Sequence, residues 1–444
     1  MKLWGKGTSL SAEIEKFTIG MDQELDLLLA SYDVIGSMAH ATMLRDIKLL
    51  TKEEWRQLQD ALAEIYQEIL KGDFKIEASV EDVHSQIEFM LTEKLGVIGK
   101  KIHSGRSRND QVLVDIKLFL RDEIRDLTTL VVGLIETLLD LSEKYRKVII
   151  PGYTHMQAAM PSSFGLWFGA YAETFIDDLR LLKAAFDIVN QNPLGSAAGY
   201  GNSFPLDRMA TTELLGFADI HVNSVAAQMS RGKTETAVAF ALAAFSSTLG
   251  RMTMDICLYN SQNFNFLSFP EEITTGSSIM PHKKNPDVFE LIRARCNHLQ
   301  TLPQQLLSIT INLPSGYHRD MQLTKELLLP ALKHIRDCFK LISGTVEQIE
   351  VNQQAIEDPK YDLIYSVENV NRKVLEGTSF RDAYLEIAKS ISDGSFKPIK
   401  EIKHTHLGST GNPGTAEIKK KLEGVQNSFG FESYQMKLQT LIES

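Results

Sequence analysis

With 444 residues, 43% hydrophobic and 23% charged, the chain is long enough for two or three domains with a large core and has the make-up of an ordinary soluble globular protein. A formal net charge of -10 with no dense Lys/Arg block argues against a general nucleic-acid binder, and an acidic protein that takes an anionic ligand must gather positive charge locally. Three widely spaced cysteines, Cys257, Cys296 and Cys338, lie in apolar-periodic sequence and read as buried free thiols of a reducing compartment, not as a disulfide frame or metal site. Met1 to Lys6 carries no hydrophobic signal region, and no run approaches the roughly 18 apolar residues that span a bilayer, so a cytoplasmic protein without membrane contact is expected.

Residues 1 to about 105 mix short helical patterns with loops. His84, within Glu81-Asp82-Val83-His84-Ser85-Gln86-Ile87-Glu88, reads by itself as a satisfied structural histidine. In His103-Ser104-Gly105-Arg106-Ser107-Arg108-Asn109-Asp110-Gln111, two arginines and an Asn behind a glycine turn suit carboxylate recognition, and equally suit a charged interdomain turn. Leu113, Ile116, Leu120, Ile124, Leu127, Val131, Leu134, Leu138 and Leu141 then recur at steps of three and four, with no proline from Asp110 to Ile150. About 35 residues at about 1.5 Å each predict a rod of roughly 50 Å, which implies a bundle.

Pro151-Gly152-Tyr153-Thr154-His155-Met156-Gln157 follows as a Pro-Gly turn. Its histidine, with an unperturbed pKa of about 6.5, is either a proton-transfer group or a turn residue without chemistry. Helical periodicity returns in Phe168, Tyr171, Phe175, Leu179, Leu182, Phe186 and Val189, again from about Thr234 to Leu258, and again from Asp287 to Ile311. Several long antiparallel helices with little β-type alternation predict an all-α central domain. The glycine-rich stretch Pro193 to Arg208 has no Walker lysine and no preceding strand, so it is not a phosphate loop.

The densest polar stretch is Thr275-Gly276-Ser277-Ser278-Ile279-Met280-Pro281-His282-Lys283-Lys284-Asn285-Pro286. A glycine followed by hydroxyl residues gives a mobile loop, and lysines beside a helix start make an anion site. Asn285 is expected as the N-cap, and Pro286 as the first residue, of the helix continuing Asp287-Val288-Phe289-Glu290-Leu291-Ile292. Beyond it, Tyr317, Gln322 and Lys325 are spaced to share a helical face and to offer a hydroxyl, an amide and an ammonium to one polar ligand; an amphipathic helix start has the same look. From about Pro359 the pattern shortens into a small helical tail, in which His404-Thr405-His406 reads as a surface turn; no metal-ligand set is visible.

The twelve residues from Thr275 to Pro286 resemble the signature of the fumarase, aspartase and argininosuccinate lyase superfamily, whose members eliminate a group from a succinyl skeleton to release fumarate or a close relative. The Lys-Lys-Asn-Pro ending is similar to that of argininosuccinate lyases. So are Tyr32 to His40, Glu81 to Glu88, His103 to Gln111, Pro151 to Gln157, Pro193 to Arg208, Leu313 to Glu326 and Gly377 to Tyr384, which carry the resemblance over nearly the whole chain. It implies an all-α, three-domain lyase: an N-terminal helical domain over 1–106, a central long-helix bundle over 107–358 and a small C-terminal helical domain over 359–444. Four copies are implied to assemble into a homotetrameric helical core with each active site drawn from three subunits.

Carried over position by position, the resemblance makes His155 catalytic and puts Asn109, Thr154, Tyr317, Gln322 and Lys325 at substrate-binding positions, with Arg108 beside them. The implied reaction is cleavage of argininosuccinate to arginine and fumarate in arginine biosynthesis, with no cofactor and no metal. In it, Lys283 and Asn285 are expected to stabilise charge gathering on the substrate carboxylate, and Ser277 and His155 to be base and acid, with Glu290 orienting the imidazole. The opposite assignment of Ser277 and His155 has the same motif support. The chain departs from the family at Ala158 and Met160, which replace an Arg and a Gln, at Gly20 and Asp22, which stand where a substrate-contacting serine is usual, and at Ser230-Arg231-Gly232-Lys233, which is poorer in acidic residues. Leu323 and Thr324 replace an acidic pair, and Tyr384 a His. Those departures keep open a sister lyase acting on another succinyl adduct; because the fold of the resembling family also serves as a lens crystallin, a crystallin-like structural protein is the other alternative, against which the retention of His155 and Ser277 argues.

Overall fold

The computed structural model describes residues 11–443; the amino-terminal stretch Met1 to Lys6 lies outside them. Helices α1 (Ala12–Ile19), α2 (Asp22–Asp26), α3 (Ala30–Asp46), α4 (Lys52–Lys71), α5 (Val83–Leu95) and α6 (Val97–Lys100) come first. The middle of the chain holds α7 (Arg108–Lys144), α8 (Phe164–Val189), α9 (Arg208–Leu214), α10 (Ser224–Asn260), α11 (Asp287–Leu299), α12 (Leu302–Thr310) and α13 (Leu323–Val346). Helices α14 (Ser366–Leu375), α15 (Phe380–Ser392), α16 (Thr415–Ser428) and α17 (Phe431–Glu443) end it. The protein is all-α with short β pairings.

Helix α7 starts where its sequence says it should: Ser107 caps it, and the Asp110 carboxylate returns a bond to the Ser107 N–H at 2.9 Å, a reciprocal capping box. The nine apolar residues read at steps of three and four, Leu113 to Leu141, are all buried. Helix α7 packs along α8, α8 along α10, and α13 against both α7 and α10. Phe339 of α13 meets Phe175 of α8 and Phe245 of α10 edge-on at 5.7 and 5.6 Å, which ties three long helices at one level. The second carboxylate oxygen of Asp110 accepts the N–H groups of Gly195 and Ala197 at 3.0 and 2.8 Å, so the glycine-rich stretch folds onto the start of α7. Helix α10 is long and apolar enough to cross a membrane by length and composition, and 61% of that apolar window is buried inside the protein.

Helix α10 is broken at Arg231 and Gly232, within the stretch that departs from the family. The Gly232 N–H bonds to Glu235 Oε2 at 2.7 Å, while Glu235 Oε1 lies 2.8 Å from Arg231 Nε, so Glu235 caps the second segment as an acid three residues into a helix would. Gly232 sits at φ +80°, and a Cβ there would come within 2.8 Å of Thr310 Cγ2, so both backbone and space call for glycine.

Three expectations are corrected. The turn around His155 is a hairpin, β1 (Ile149–Thr154) against β2 (Gln157–Ser163), and its two-residue turn is His155-Met156, not Pro151-Gly152. Both turn residues have positive φ, 52° and 60°, as a hairpin-matched type I′ turn requires; neither is the Asn or Gly that usually announces one. The stretch Asp287 to Ile311 is two helices, α11 and α12, separated at Gln300-Thr301 with Pro303 in the first turn of α12, where its missing N–H costs nothing. Of the three free thiols, Cys296 and Cys338 are buried, whereas Cys257 is half-buried.

Lys117 is buried inside α7, its Nζ 3.3 Å from the Ile188 carbonyl and 3.1 Å from His221 Nε2. Burial, opposed only by the Glu235 charge, pushes the ammonium down to about 7 from 10.5. Between those values the unfolded chain binds the proton that the folded chain has released, so this group makes stability rise with pH by about 1.4 kcal/mol per unit. Lys117→Met is expected to remove that slope and to be the more stable protein near neutral pH; denaturant titrations from neutral to alkaline pH that show the same slope in both proteins would contradict it.

Candidate active site

The residues singled out from sequence do not all fall in one place. Asn109 in the first turn of α7, Tyr317, and Gln322 and Lys325 at the start of α13 line one polar cavity of about 110 Å³, together with Asp22, Asp26, Glu81, Asp82, Arg108, Arg231 and Arg319. Its floor and walls are held by ion pairs. Arg108 Nη1 lies 2.9 Å from Glu81 and 3.2 Å from Asp82, and Arg319 Nη2 lies 2.9 Å from the other Glu81 oxygen. Lys325 Nζ stands 2.5 Å from Asp22 and 2.6 Å from Asp26. Gln322 Nε2 donates to the Ile19 and Thr18 carbonyls at 2.7 and 3.2 Å, which pins the segment before α2 against α13.

His84 lines the same cavity, and its Nδ1 lies 2.8 Å from Asp33 and 3.4 Å from Asp115. Burial opposes charge on this imidazole, but the Asp33 carboxylate, its hydrogen bond and the Asp115 carboxylate outweigh burial and push it up to about 10. Burial, reinforced by Asp33, raises the Asp115 carboxyl. Ligand atoms of Asp33, His84 and Asp115 lie within 4.8 Å of one another, a grouping that three separate stretches of sequence did not reveal. The 2.8 Å contact between His84 and Asp33 is the N···O spacing of a charge-assisted hydrogen bond.

The hairpin tip and the 275–286 loop lie outside this cavity. Thr154 and His155 are exposed at the hairpin tip. The loop from Gly276 to Lys284 is pinched at its base, where Thr275 and Asn285 exchange two backbone hydrogen bonds of 3.1 and 2.8 Å. That pairing corrects the expected cap: with its N–H and C=O spent on Thr275, Asn285 does not cap α11, which opens at Asp287 without any side-chain cap. Inside the loop, Ser277 Oγ accepts the Met280 N–H at 3.1 Å and, more weakly, that of Ile279 at 3.4 Å. Lys284 pairs with Glu271 at 3.0 Å, whereas Lys283 and Glu290 are exposed.

None of Thr154, His155, Ser277, Lys283, Asn285 and Glu290 lines the polar cavity. Among the described residues no hydrogen bond joins His155 to Glu290 or Ser277 to Lys283. Sequence reasoning missed Asp26, Glu81, Asp82 and Arg319 as cavity residues and registered Asp22 only as a departure. The available signal was the four-residue spacing of Asp22 and Asp26, which puts both carboxylates on one side of a helical turn.

Residues 10–300 match the profile of a family described as lyase. The argininosuccinate lyase of Parabacteroides distasonis is 56% identical over 431 residues, 97% of either chain, and that of Bacteroides fragilis 55% identical over 441 residues, 99% of either chain. Among solved structures, EDDS lyase in complex with formate superposes with a TM-score of 0.74 at 21% identity, covering 98% of this chain and 95% of its own. The class II fumarase of Schistosoma mansoni does so with a TM-score of 0.68 at 15% identity, covering 86% and 91%, so the helical fold is common to all three. By the profile match and by identity above one half along almost its full length, the chain belongs to the lyase family and, within it, to the argininosuccinate lyases.

Proposed function

We propose that this enzyme cleaves argininosuccinate to L-arginine and fumarate by acid/base β-elimination, as a cytoplasmic step of arginine biosynthesis. The observation that carries the reading is identity above one half with argininosuccinate lyases along nearly the whole chain, with His155, Ser277, Lys283 and the cavity residues Asn109, Tyr317, Gln322 and Lys325 all present. The proton removed lies beside a carboxylate and is weakly acidic, so donors must stabilise the charge that gathers there; losing one such donor costs about 10² to 10³ in rate. Lys283 and Asn285 take that role. Ser277 is the base, its alkoxide favoured by Lys283, the lysine nearest to it in sequence, and His155 protonates the departing guanidine with Glu290 orienting it. Thr154 binds substrate beside His155. The chemistry requires no cofactor.

On this reading the enzyme is a homotetramer with sites completed by three subunits. Two features support it: one chain keeps the hairpin tip and the 275–286 loop out of the cavity that holds the other predicted residues, and helices α8, α10 and α11 expose Leu181, Met229, Phe240, Met254 and Leu291, large apolar side chains that a neighbouring bundle would cover. The same reading keeps the division into residues 1–106, 107–358 and 359–444, in favour of which all four longest helices, α7, α8, α10 and α13, begin and end within the middle part.

The decisive assay follows fumarate by ultraviolet absorbance when purified protein meets argininosuccinate, with adenylosuccinate, malate and aspartate in parallel. Release from argininosuccinate alone is the expected result. Release from another of the four instead would make this a sister lyase, and silence with all four would leave the structural role. Gly276→Val is expected to lower turnover with little loss of stability, because a Cβ at Gly276 meets open space and the cost falls on loop closure. Wild-type turnover in that variant would remove the loop from the mechanism. Light scattering should give a mass near four chains, and an active monomer would refute the shared site.

A further inference from the structure

Lys325 stands at a substrate-facing position, yet its charge is already claimed. Its side chain is 5% exposed and is held by Asp22 and Asp26, whose side chains are 13% and 2% exposed. The other cations lining the cavity are satisfied as well: Arg108 by Glu81 and Asp82, Arg319 by Glu81, Arg231 by Glu235, and His84 by Asp33 and Asp115. An arriving carboxylate therefore finds no unshared cation in this cavity, and at Lys325 it meets two carboxylates against one ammonium. Against the one ammonium the two carboxylates leave one negative charge, which Arg319 beside Asp22 partly offsets, so the trio favours a cationic group over an anionic one.

The two acids differ. Asp26 also accepts the Val83 N–H at 3.5 Å and is nearly sealed off, so it belongs to the scaffold. Asp22 makes the Lys325 ion pair alone and is the more exposed of the two. Its position is fixed from both sides, since the Gln322 amide grips Thr18 and Ile19 just ahead of it. This is a built site, because the ammonium is more than nine-tenths buried and the acid beside it faces a cavity.

Argininosuccinate carries two cationic groups. The guanidinium includes the C–N bond that breaks, so it must lie near Ser277 and His155, neither of which lines this cavity. The remaining cation is the α-ammonium at the other end of the molecule, and it sits beside an α-carboxylate. The Asp22 carboxylate offers that ammonium a full opposite charge; a serine at the same place would offer only a dipole.

We propose that Asp22 is a specificity-determining residue that accepts the substrate's α-ammonium beside Lys325, so that this enzyme demands an unsubstituted α-amino acid at the arginine end. The inference rests on the argininosuccinate lyase reading and adds a selectivity to it. An α-N-acylated argininosuccinate loses the charge that Asp22 takes and adds bulk to a small cavity.

The test measures fumarate release by the full-length enzyme and by Asp22→Asn and Asp22→Ser, with argininosuccinate and with its α-N-acetyl derivative. The loss of a charged hydrogen-bond acceptor is expected to raise KM for argininosuccinate roughly 10- to 100-fold in Asp22→Asn, with kcat within about threefold of wild type. Asp22→Ser is expected to narrow the preference for the free amine over the acetylated substrate. A KM within about twofold of wild type in both variants, or an unchanged preference in Asp22→Ser, would overturn the assignment. Circular dichroism melts and light scattering separate binding from folding, and if Asp22→Asn does not fold, the preference measured in Asp22→Ser decides. Wild-type enzyme silent toward argininosuccinate would strike the proposed reaction itself, so the two failures are distinguishable.

Discussion

Ser277→Ala is expected to lower kcat by about 10² to 10⁴, the usual contribution of a positioned acid or base, while the melting temperature stays close to wild type. The two halves of that expectation rest on different observations. In the folded chain the Ser277 hydroxyl accepts only two N–H groups of its own loop, those of Ile279 and Met280, so the stability at stake is about 1 kcal/mol. The loop itself is anchored by the backbone exchange between Thr275 and Asn285, which a side-chain change at Ser277 leaves in place. His155→Asn is the companion experiment. His155 occupies a left-handed turn position at φ 52°, which Asn adopts more readily than His, so the hairpin should hold and any loss of turnover reflects the missing imidazole. Wild-type kcat in either variant would take that residue out of the proton transfers. Equal losses with a changed pH profile only in His155→Asn would assign the titrating group to the imidazole.

What could be read from the sequence divides along a physical line. The α7 stripe was legible because burial on one side of a long helix forces a spacing of three and four, and each residue so chosen is buried. The chemistry of the 275–286 loop was legible because it is contiguous. The hairpin was not, since β1 and β2 carry Pro151 and Pro161 and lack a clean alternation, and its turn uses His155-Met156 where Asn-Gly would have signalled it. Asn285 looked like a cap because residue preference speaks only of the local chain, whereas the pairing with Thr275 is a contact across ten residues. The cavity acids escaped for the same reason on a larger scale: Asp22 and Lys325 are about 300 positions apart and meet only because α2 is tied to the start of α13.

The separation of the two residue groups leads to the second large effect, regained activity from two inactive proteins. Asn109→Ala damages the polar cavity without touching the loop, and Ser277→Ala damages the loop without touching the cavity. Each should fold: Asn109 makes no side-chain hydrogen bond among the described residues, and Ala is a better helix former at the start of α7. Homotetramers of either variant have every site defective. In tetramers assembled from equal amounts of both, a site is intact whenever the chain giving the cavity is Ser277→Ala and the chain giving the loop is Asn109→Ala. Random assortment makes that true of about a quarter of the sites, if cavity and loop come from different subunits. Co-expression with two affinity tags isolates the mixed species, and fumarate release per site should then approach a quarter of wild type, far above either parent. If the site were complete within one chain, every subunit would carry its own lesion and mixing would restore nothing. A doubly tagged tetramer with only the parental rates would therefore place cavity and loop on the same subunit, and would require the loop to travel to the cavity within one chain.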